Sequence, residues 1–274
     1  MPENKTENKT AHANTKATLN ISEGVATVVL NQPEKHNAFD DQIIQNLLAH
    51  LALIRKTPGI YAMVLRAEGK NFCAGADLAW MKRMAKASYE ANEQDALQLA
   101  KLMSELNALP IPTVVLVQGA AFGGALGLIA CCDIAISADN AKFCLSEVKL
   151  GLAPATISPY VLAAIGARRC RHLFLTAEVF NAEQASDWGL VHKRCAQDQL
   201  EETLKHTLTQ LASNGPLACR ASKQLIFDVL DNADDLIEQT SKLIAKLRVS
   251  EEGQEGLNAF FEKRPAAWIR QHND

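Results

Sequence analysis

Residues 111–154 read IPTVVLVQGAAFGGALGLIACCDIAISADNAKFCLSEVKLGLAP, and no other stretch narrows the possible folds so far. Pro110 and Pro112 introduce a run of β-branched and apolar residues over 113–117, which predicts a buried strand. A glycine turn and a helix of small apolar residues follow, then a strand over 133–137 and a short one over 142–145. Strand, helix and strand in that order make a unit of a parallel sheet. The helix directs unpaired backbone N–H groups at whatever lies beyond its start. The segment after the last short strand carries one carboxylate, Glu147. One acid/base and one set of oxyanion donors therefore fall where a single small site can hold both.

The flanking chain continues the alternation. Residues 17–30 alternate around Ser22-Glu23-Gly24 and predict a β-hairpin, and Asp40 is placed to cap a helix reaching about Lys56. Residues 61–66 predict a short buried strand. The loop KNFCAGAD over 70–77 precedes a helical stretch through Trp80 and Met81, and residues 93–106 have helical periodicity. Beyond Ile157 strand signals nearly vanish. Helices are expected at about 156–164, 167–175, 182–188, 197–213, 216–230, 233–248 and 251–261. The fold class is α/β: a core over 17–200 and a helical region over 201–274 belonging to the same folding unit. Residues 1–16 are polar, repeat ENKT and predict a disordered tail, with neither the apolar run of a signal peptide nor the arginines of a transit peptide. Asn4 and Asn8 match the glycosylation pattern, which has meaning only in a secreted chain.

Composition excludes several functions. A net charge of -3, with no basic helix standing out, disfavours nucleic acid and anionic membrane as partners. The seven cysteines are scattered without a C-x-x-C pair, which predicts free buried thiols and a reducing, cytoplasmic setting. The seven histidines show no H-x-x-x-H or H-E-x-x-H spacing, so no metal is expected. Gly123-Gly124 is not part of G-x-G-x-x-G, and dinucleotide binding is unsupported. From spacing alone, that pair fits tight helix packing as well as close approach to a ligand. Asp133, after the two cysteines, reads as a structural acid.

Three segments in order, FCAGADL, IPTVVLVQGAAFGGALGL with CCDIAI, and LSEVKLGL, resemble the crotonase (enoyl-CoA hydratase/isomerase) superfamily from residue 17 to the end. The resemblance implies a crotonase-like spiral of ββα units with a helical C-terminal trimerisation region, assembled as a homotrimer or dimer of trimers. It implies an acyl-CoA substrate and no cofactor beyond the CoA within that substrate. Two backbone N–H groups, of Ala76 and Gly124, would stabilise a thioester enolate, and Glu147 would be the acid/base. Lys35, Phe260 and Lys263 match positions that approach the nucleotide end of CoA, the latter two often from a neighbouring subunit. The backbone of Ala74, Ala76, Asp77 and Leu78 would line the adenine and pantetheine path.

Hydratases of this family usually carry a second glutamate, and its position falls on Gly127 here. One carboxylate can still take a proton from water and deliver it to Cα. The combination GGALGL, CLSEVKLGL and ISPYV resembles the subgroup acting on branched glutaconyl-CoA thioesters, such as 3-methylglutaconyl-CoA in leucine breakdown. Lys149, Ser158, Tyr160 and Arg168 lie near in sequence, and none is assigned to the distal carboxylate of such a substrate. The alternative is an enoyl-CoA isomerase, which needs only Glu147 to move a proton between carbons.

Overall fold

The computed structural model describes residues 15–231 and 235–269; the expected tail, apart from Thr15 and Lys16, lies outside them. Strands β1 (Ala17–Ser22) and β2 (Val25–Leu30) form the hairpin, turned by Glu23 at φ 51° and Gly24 at φ 80°. Two successive left-handed residues match the right-handed twist of the paired strands. Helix α1 (Asp41–Lys56) is capped by Asp40, which accepts the Ile43 N–H at 2.9 Å. After β3 (Ala62–Ala67) come α2 (Leu78–Met84) and α3 (Tyr89–Asn107), the second starting earlier than its periodicity suggests because Ser88 caps it.

Then follow β4 (Thr113–Val117), β5 (Ala120–Phe122), α4 (Gly124–Cys131), β6 (Ile134–Ala138), β7 (Lys142–Cys144) and α5 (Ser158–Thr176). Gly166 breaks α5 with φ 78° and ψ 156°, which is why its sequence reads as two helices. Strands β8 (Phe180–Asn181) and β9 (Lys193–Cys195) flank α6 (Ala182–Asp187). These two strands and β5 escape the sequence reading, being only two or three residues long.

The strands split into two sheets. The larger runs β1-β2-β3-β4-β6-β9, parallel except for the hairpin, and the smaller runs β5-β7-β8. Two successive repeats place one strand in the large sheet and the next in the small one before a helix: β4 and β5 precede α4, and β6 and β7 precede α5. Two isolated parallel bridges, Cys73 with Ala121 and Phe39 with Ala76, extend the small sheet toward the earlier repeats.

Residues of β4 alternate between two cores, as side chains on successive strand positions must. Val115 and Val117 pack with α1, α3, α4 and α5, whereas Val114 and Leu116 pack with Leu200 and Leu204 of α7 (Leu200–Ala212). Both faces of the large sheet are covered, so its central strands can be apolar throughout. The chain ends in α8 (Pro216–Leu230), α9 (Leu236–Val249) and α10 (Glu251–Glu262), which pack chiefly on one another. Their outer surfaces keep large apolar residues exposed, including Leu230, Ile237, Val249, Phe260 and Phe261. Among the described residues no helix is long and apolar enough to cross a membrane.

Candidate active site

Three site segments leave the small sheet side by side. Cys73, Phe122 and Cys144 sit on neighbouring parallel strands, joined by Phe122 N–H to Cys73 C=O at 2.9 Å and Gly123 N–H to Cys144 C=O at 2.8 Å. Ala76, Gly124 and Glu147 follow these residues by three, two and three positions. The sheet register therefore brings together three groups that are far apart in sequence.

In the Phe39–Ala76 bridge, the Phe39 N–H bonds Gly75 C=O and the Asp77 N–H bonds Phe39 C=O, each at 2.7 Å. Alternate peptides of an extended strand face opposite ways, so the Ala76 N–H points away from this bridge. Gly124 opens α4, where the first amides have no partner within the helix. Its predecessor Gly123 makes the entry turn at φ 57° and ψ -125°, a conformation that side chains with a Cβ rarely adopt. Neither the Ala76 nor the Gly124 N–H donates to another group among the described residues.

Glu147 opens a 3-10 turn, Glu147–Leu150, directly after β7. Its side chain is half-buried, and Oε2 is buried without a hydrogen-bond partner among the described residues. Burial raises its pKa, opposed only by a bond to its own backbone N–H. A desolvated carboxylate with one oxygen left unpartnered is suited to accepting and returning a proton. The nearby thiols are not competitors: burial pushes Cys73 up to about 12 and also raises Cys144. None of the seven cysteines is paired, and five are buried. No cluster of His, Cys, Asp and Glu among the described residues could hold a metal.

Lys35 ends the 3-10 turn Pro33–Lys35, and its ammonium lies 3.2 Å from Asp77 Oδ2. Asp77 also caps α2, accepting the Ala79 and Trp80 N–H groups at 2.8 and 2.9 Å. The Trp80 amide, with the other amide and Lys35, holds its carboxyl below the usual range. Lys35, Ala74, Ala76, Asp77 and Leu78 thus form one contiguous rim, with Leu78 69% exposed. Asn37 fixes this rim: fully buried, it donates to the Glu68 and Asn71 carbonyls at 2.8 and 2.9 Å. Asn71 Oδ1 in turn accepts the Ala120 N–H at 2.9 Å. Sequence reasoning misses both asparagines, because their partners are backbone groups supplied by distant loops.

Phe260 and Lys263 stand apart. Phe260 is 78% exposed on α10, whose principal contacts are with α8 and α9, and Lys263 ends that helix with φ 54°. Asp133 is structural, its Oδ2 accepting Thr113 N–H, Thr113 Oγ1 and Lys223 Nζ at 2.7, 2.9 and 2.7 Å.

The enoyl-CoA hydratase/isomerase family model matches residues 20–271, nearly the whole described chain. The chain belongs to the enoyl-CoA hydratase/isomerase family. The crystal structure of an enoyl-CoA hydratase from Shewanella pealeana is similar at 48% identity and a TM-score of 0.89, covering 92% of this chain and 96% of that one. The crotonyl-CoA hydratase of Syntrophomonas wolfei is 30% identical, over 92% of this chain and 96% of its own length. The trans-2-decenoyl-[acyl-carrier-protein] isomerase of Streptococcus mutans is 31% identical, over 89% and 94% respectively. The α/β architecture with its C-terminal helices is that of the enoyl-CoA hydratase/isomerase fold. The chain is accordingly an enzyme of this type.

Proposed function

We propose that this enzyme adds water across the α,β double bond of an enoyl-CoA thioester, with Glu147 as its single acid/base. The observation that carries the reading is the buried Glu147 Oε2, which has no partner among the described residues, in a carboxylate set against the turn before Gly124, with the Ala76 and Gly124 amides donating to none of those residues either. The thioester oxygen accepts the Ala76 and Gly124 N–H groups, and the carboxylate draws a proton from a water above Cβ. The water oxygen bonds Cβ as the C=C electron pair moves into the thioester, forming the enolate held by the two amides. Glu147 then returns its proton to Cα, so water adds in full and the carboxylate is regenerated. Fixed amides stabilise that charge without reorganising, and one such donor is worth ~3 kcal/mol in the transition state.

CoA lies along the rim of Ala74, Asp77 and Leu78, with Lys35 turning from Asp77 to a phosphate. Phe260 and Lys263 reach the nucleotide end from a neighbouring copy in a homotrimer or dimer of trimers, supported by the exposed apolar surface of α8 to α10. The substrate is a branched glutaconyl-CoA such as 3-methylglutaconyl-CoA, a reading supported by the resemblance of GGALGL, CLSEVKLGL and ISPYV to that subgroup. A second reading, isomerisation by the same carboxylate, is favoured by the absence of any acid at Gly127.

Turnover of 3-methylglutaconyl-, crotonyl- and 3-enoyl-CoA in ¹⁸O-water tests both. Loss of conjugated thioester absorbance with ¹⁸O in the product supports hydration. Conjugation appearing from the 3-enoyl thioester, with no hydration of the 2-enoyl thioesters, replaces it with isomerisation.

A further inference from the structure

Ala76 and Gly124 lie on different segments, so the spacing of their amides is set by how those segments are joined. The joint is a short parallel ladder. Cys73 N–H donates to the Ala120 carbonyl at 3.0 Å, and Phe122 N–H donates to the Cys73 carbonyl at 2.9 Å. In a regular parallel pair the next rung back would run from the Ala120 N–H to the Asn71 carbonyl. That carbonyl instead accepts Asn37 Nδ2 at 2.9 Å. The Asn71 side chain replaces the rung, its Oδ1 accepting the Ala120 N–H at 2.9 Å. Nδ2 of the same carboxamide lies 3.1 Å from His36 Nδ1, and the His36 carbonyl accepts the Ala74 N–H at 3.0 Å.

The surroundings are shaped to this contact. A Cβ on Gly119, at φ 59°, would fall 2.6 Å from Asn71 Oδ1 and 2.1 Å from the Lys70 carbonyl oxygen. Any side chain there would push the two segments apart. The buried Gln118 carboxamide donates to the Ala67 and Gly69 carbonyls at 2.8 and 3.1 Å, and the Gln118 carbonyl accepts the Phe72 N–H at 2.8 Å. The backbone on either side of Asn71 is therefore fixed, and its carboxamide is presented in one direction.

We propose that Asn71 is a positioning residue for the oxyanion site, its carboxamide setting the spacing between the Ala76 and Gly124 amides. This rests on the reading of those two amides as donors to the thioester oxygen. Ala76 follows Asn71 by five residues and Gly124 follows Ala120 by four, so the Asn71–Ala120 bond lies at the root of both arms. Without it the Ala120 N–H loses its partner, and the arm carrying Gly124 is free to slide against the arm carrying Ala76. A misplacement of about 1 Å at a reacting centre costs on the order of 10²-fold in rate. Asn71 acts through the backbone and not on the substrate itself.

Isotope-edited infrared spectra of bound [1-¹³C]butyryl-CoA, which has no double bond to react, test this directly. Donors to a carbonyl oxygen lower its stretching frequency, so the wild-type enzyme should hold the thioester stretch below its value in water. Asn71→Ala should return the stretch toward that value. It should also lower kcat by about 10- to 100-fold with KM nearly unchanged, measured on whichever of the three thioesters above the enzyme turns over. Asn71→Asp keeps an oxygen for the Ala120 N–H and changes only the group facing His36, so it should restore both readouts. If the alanine variant does not fold, Asn71→Gln decides the matter. It holds the carboxamide one methylene further out and should move both readouts the same way by less. A folded variant that changes neither readout or only one of them, or an aspartate that restores neither, overturns the assignment of Asn71. A wild-type enzyme that leaves the stretch at its value in water, or turns over none of the three thioesters, instead removes the oxyanion reading on which it rests.

Discussion

A Cβ on Gly123 would stand 3.5 Å from Glu147 Oε1, so the carboxylate lies against the peptide that turns into α4. The proposed acid/base, carried on its own 3-10 turn, thus lies against the turn that presents the Gly124 amide. Glu147→Gln keeps the shape and removes the proton acceptor. Its kcat/KM should fall by about 10²–10⁴-fold, the range of a lost general acid/base, with acyl-CoA affinity retained. Stopped-flow hydration and calorimetric binding separate the two effects; near-wild-type turnover would remove Glu147 from the chemistry.

The raised pKa of Glu147 gives the pH dependence a sign. Water activation requires the carboxylate, so activity rises with pH through the folded pKa, above the ordinary glutamate range. The same shift means that folding favours the protonated form. Its stabilising contribution is complete below the unfolded pKa and is lost as pH rises through the folded one. Glu147→Gln should therefore melt above wild type at neutral pH and coincide with it below the ordinary glutamate range. Equal melting temperatures throughout would show that the carboxyl is not desolvated in the folded protein.

Proline suits the first position of a helix, where it removes an N–H that has no helical partner. At Gly124 a Cβ meets nothing within 4 Å, so Gly124→Pro should fold with α4 intact. It deletes one proposed enolate donor, and kcat should fall by about 10²–10³-fold. A folded Gly124→Pro enzyme with unchanged kcat would place the oxyanion elsewhere.

Lys35 is half-exposed and already paired with Asp77, so turning to a CoA phosphate exchanges one partner for another. The net gain is small. Lys35→Ala should raise KM for acyl-CoA by about two- to fivefold at low salt, fading as salt screens the pair, with kcat unchanged. Initial rates at two ionic strengths check this, and a kcat effect would point to a role nearer the reacting carbons.

The buried strands, the capping of α1 by Asp40 and the order of the three site segments were legible because each has a local cause. Alternation and β-branched runs write β2, β3 and β4, and turn residues write the hairpin. Strands β5, β8 and β9 were not legible, since two or three residues carry no period. Their existence depends on partners in a neighbouring repeat, β7 for β5 and β8, and β6 for β9. Glu147 and Gly124 could be placed by motif. Asn37, Asn71 and Ile157 could not, because what each does is set by contacts with residues dozens of positions away.

The Gly127–Ile157 contact explains why restoring an acid on α4 is not a single substitution. At 2.3 Å from Ile157 Cγ2, even one added methyl forces the core to move, and overpacking of this kind costs about 1–3 kcal/mol. Gly127→Ala should destabilise the wild-type background by that amount. In an Ile157→Ala background the alanine has room, so its cost should largely vanish. The two changes are then coupled, and a double-mutant cycle in denaturant reads the coupling directly. Additive effects would mean that Gly127 is glycine for a reason other than Ile157. Gly127→Glu is governed by the same contact: it should fail to fold alone and become tolerable only when residue 157 is small. A hydration rate measured on Gly127→Glu/Ile157→Ala then reports on chemistry with packing relieved. If that rate stays at the Ile157→Ala level, a second acid at this position is superfluous to the reaction proposed for Glu147.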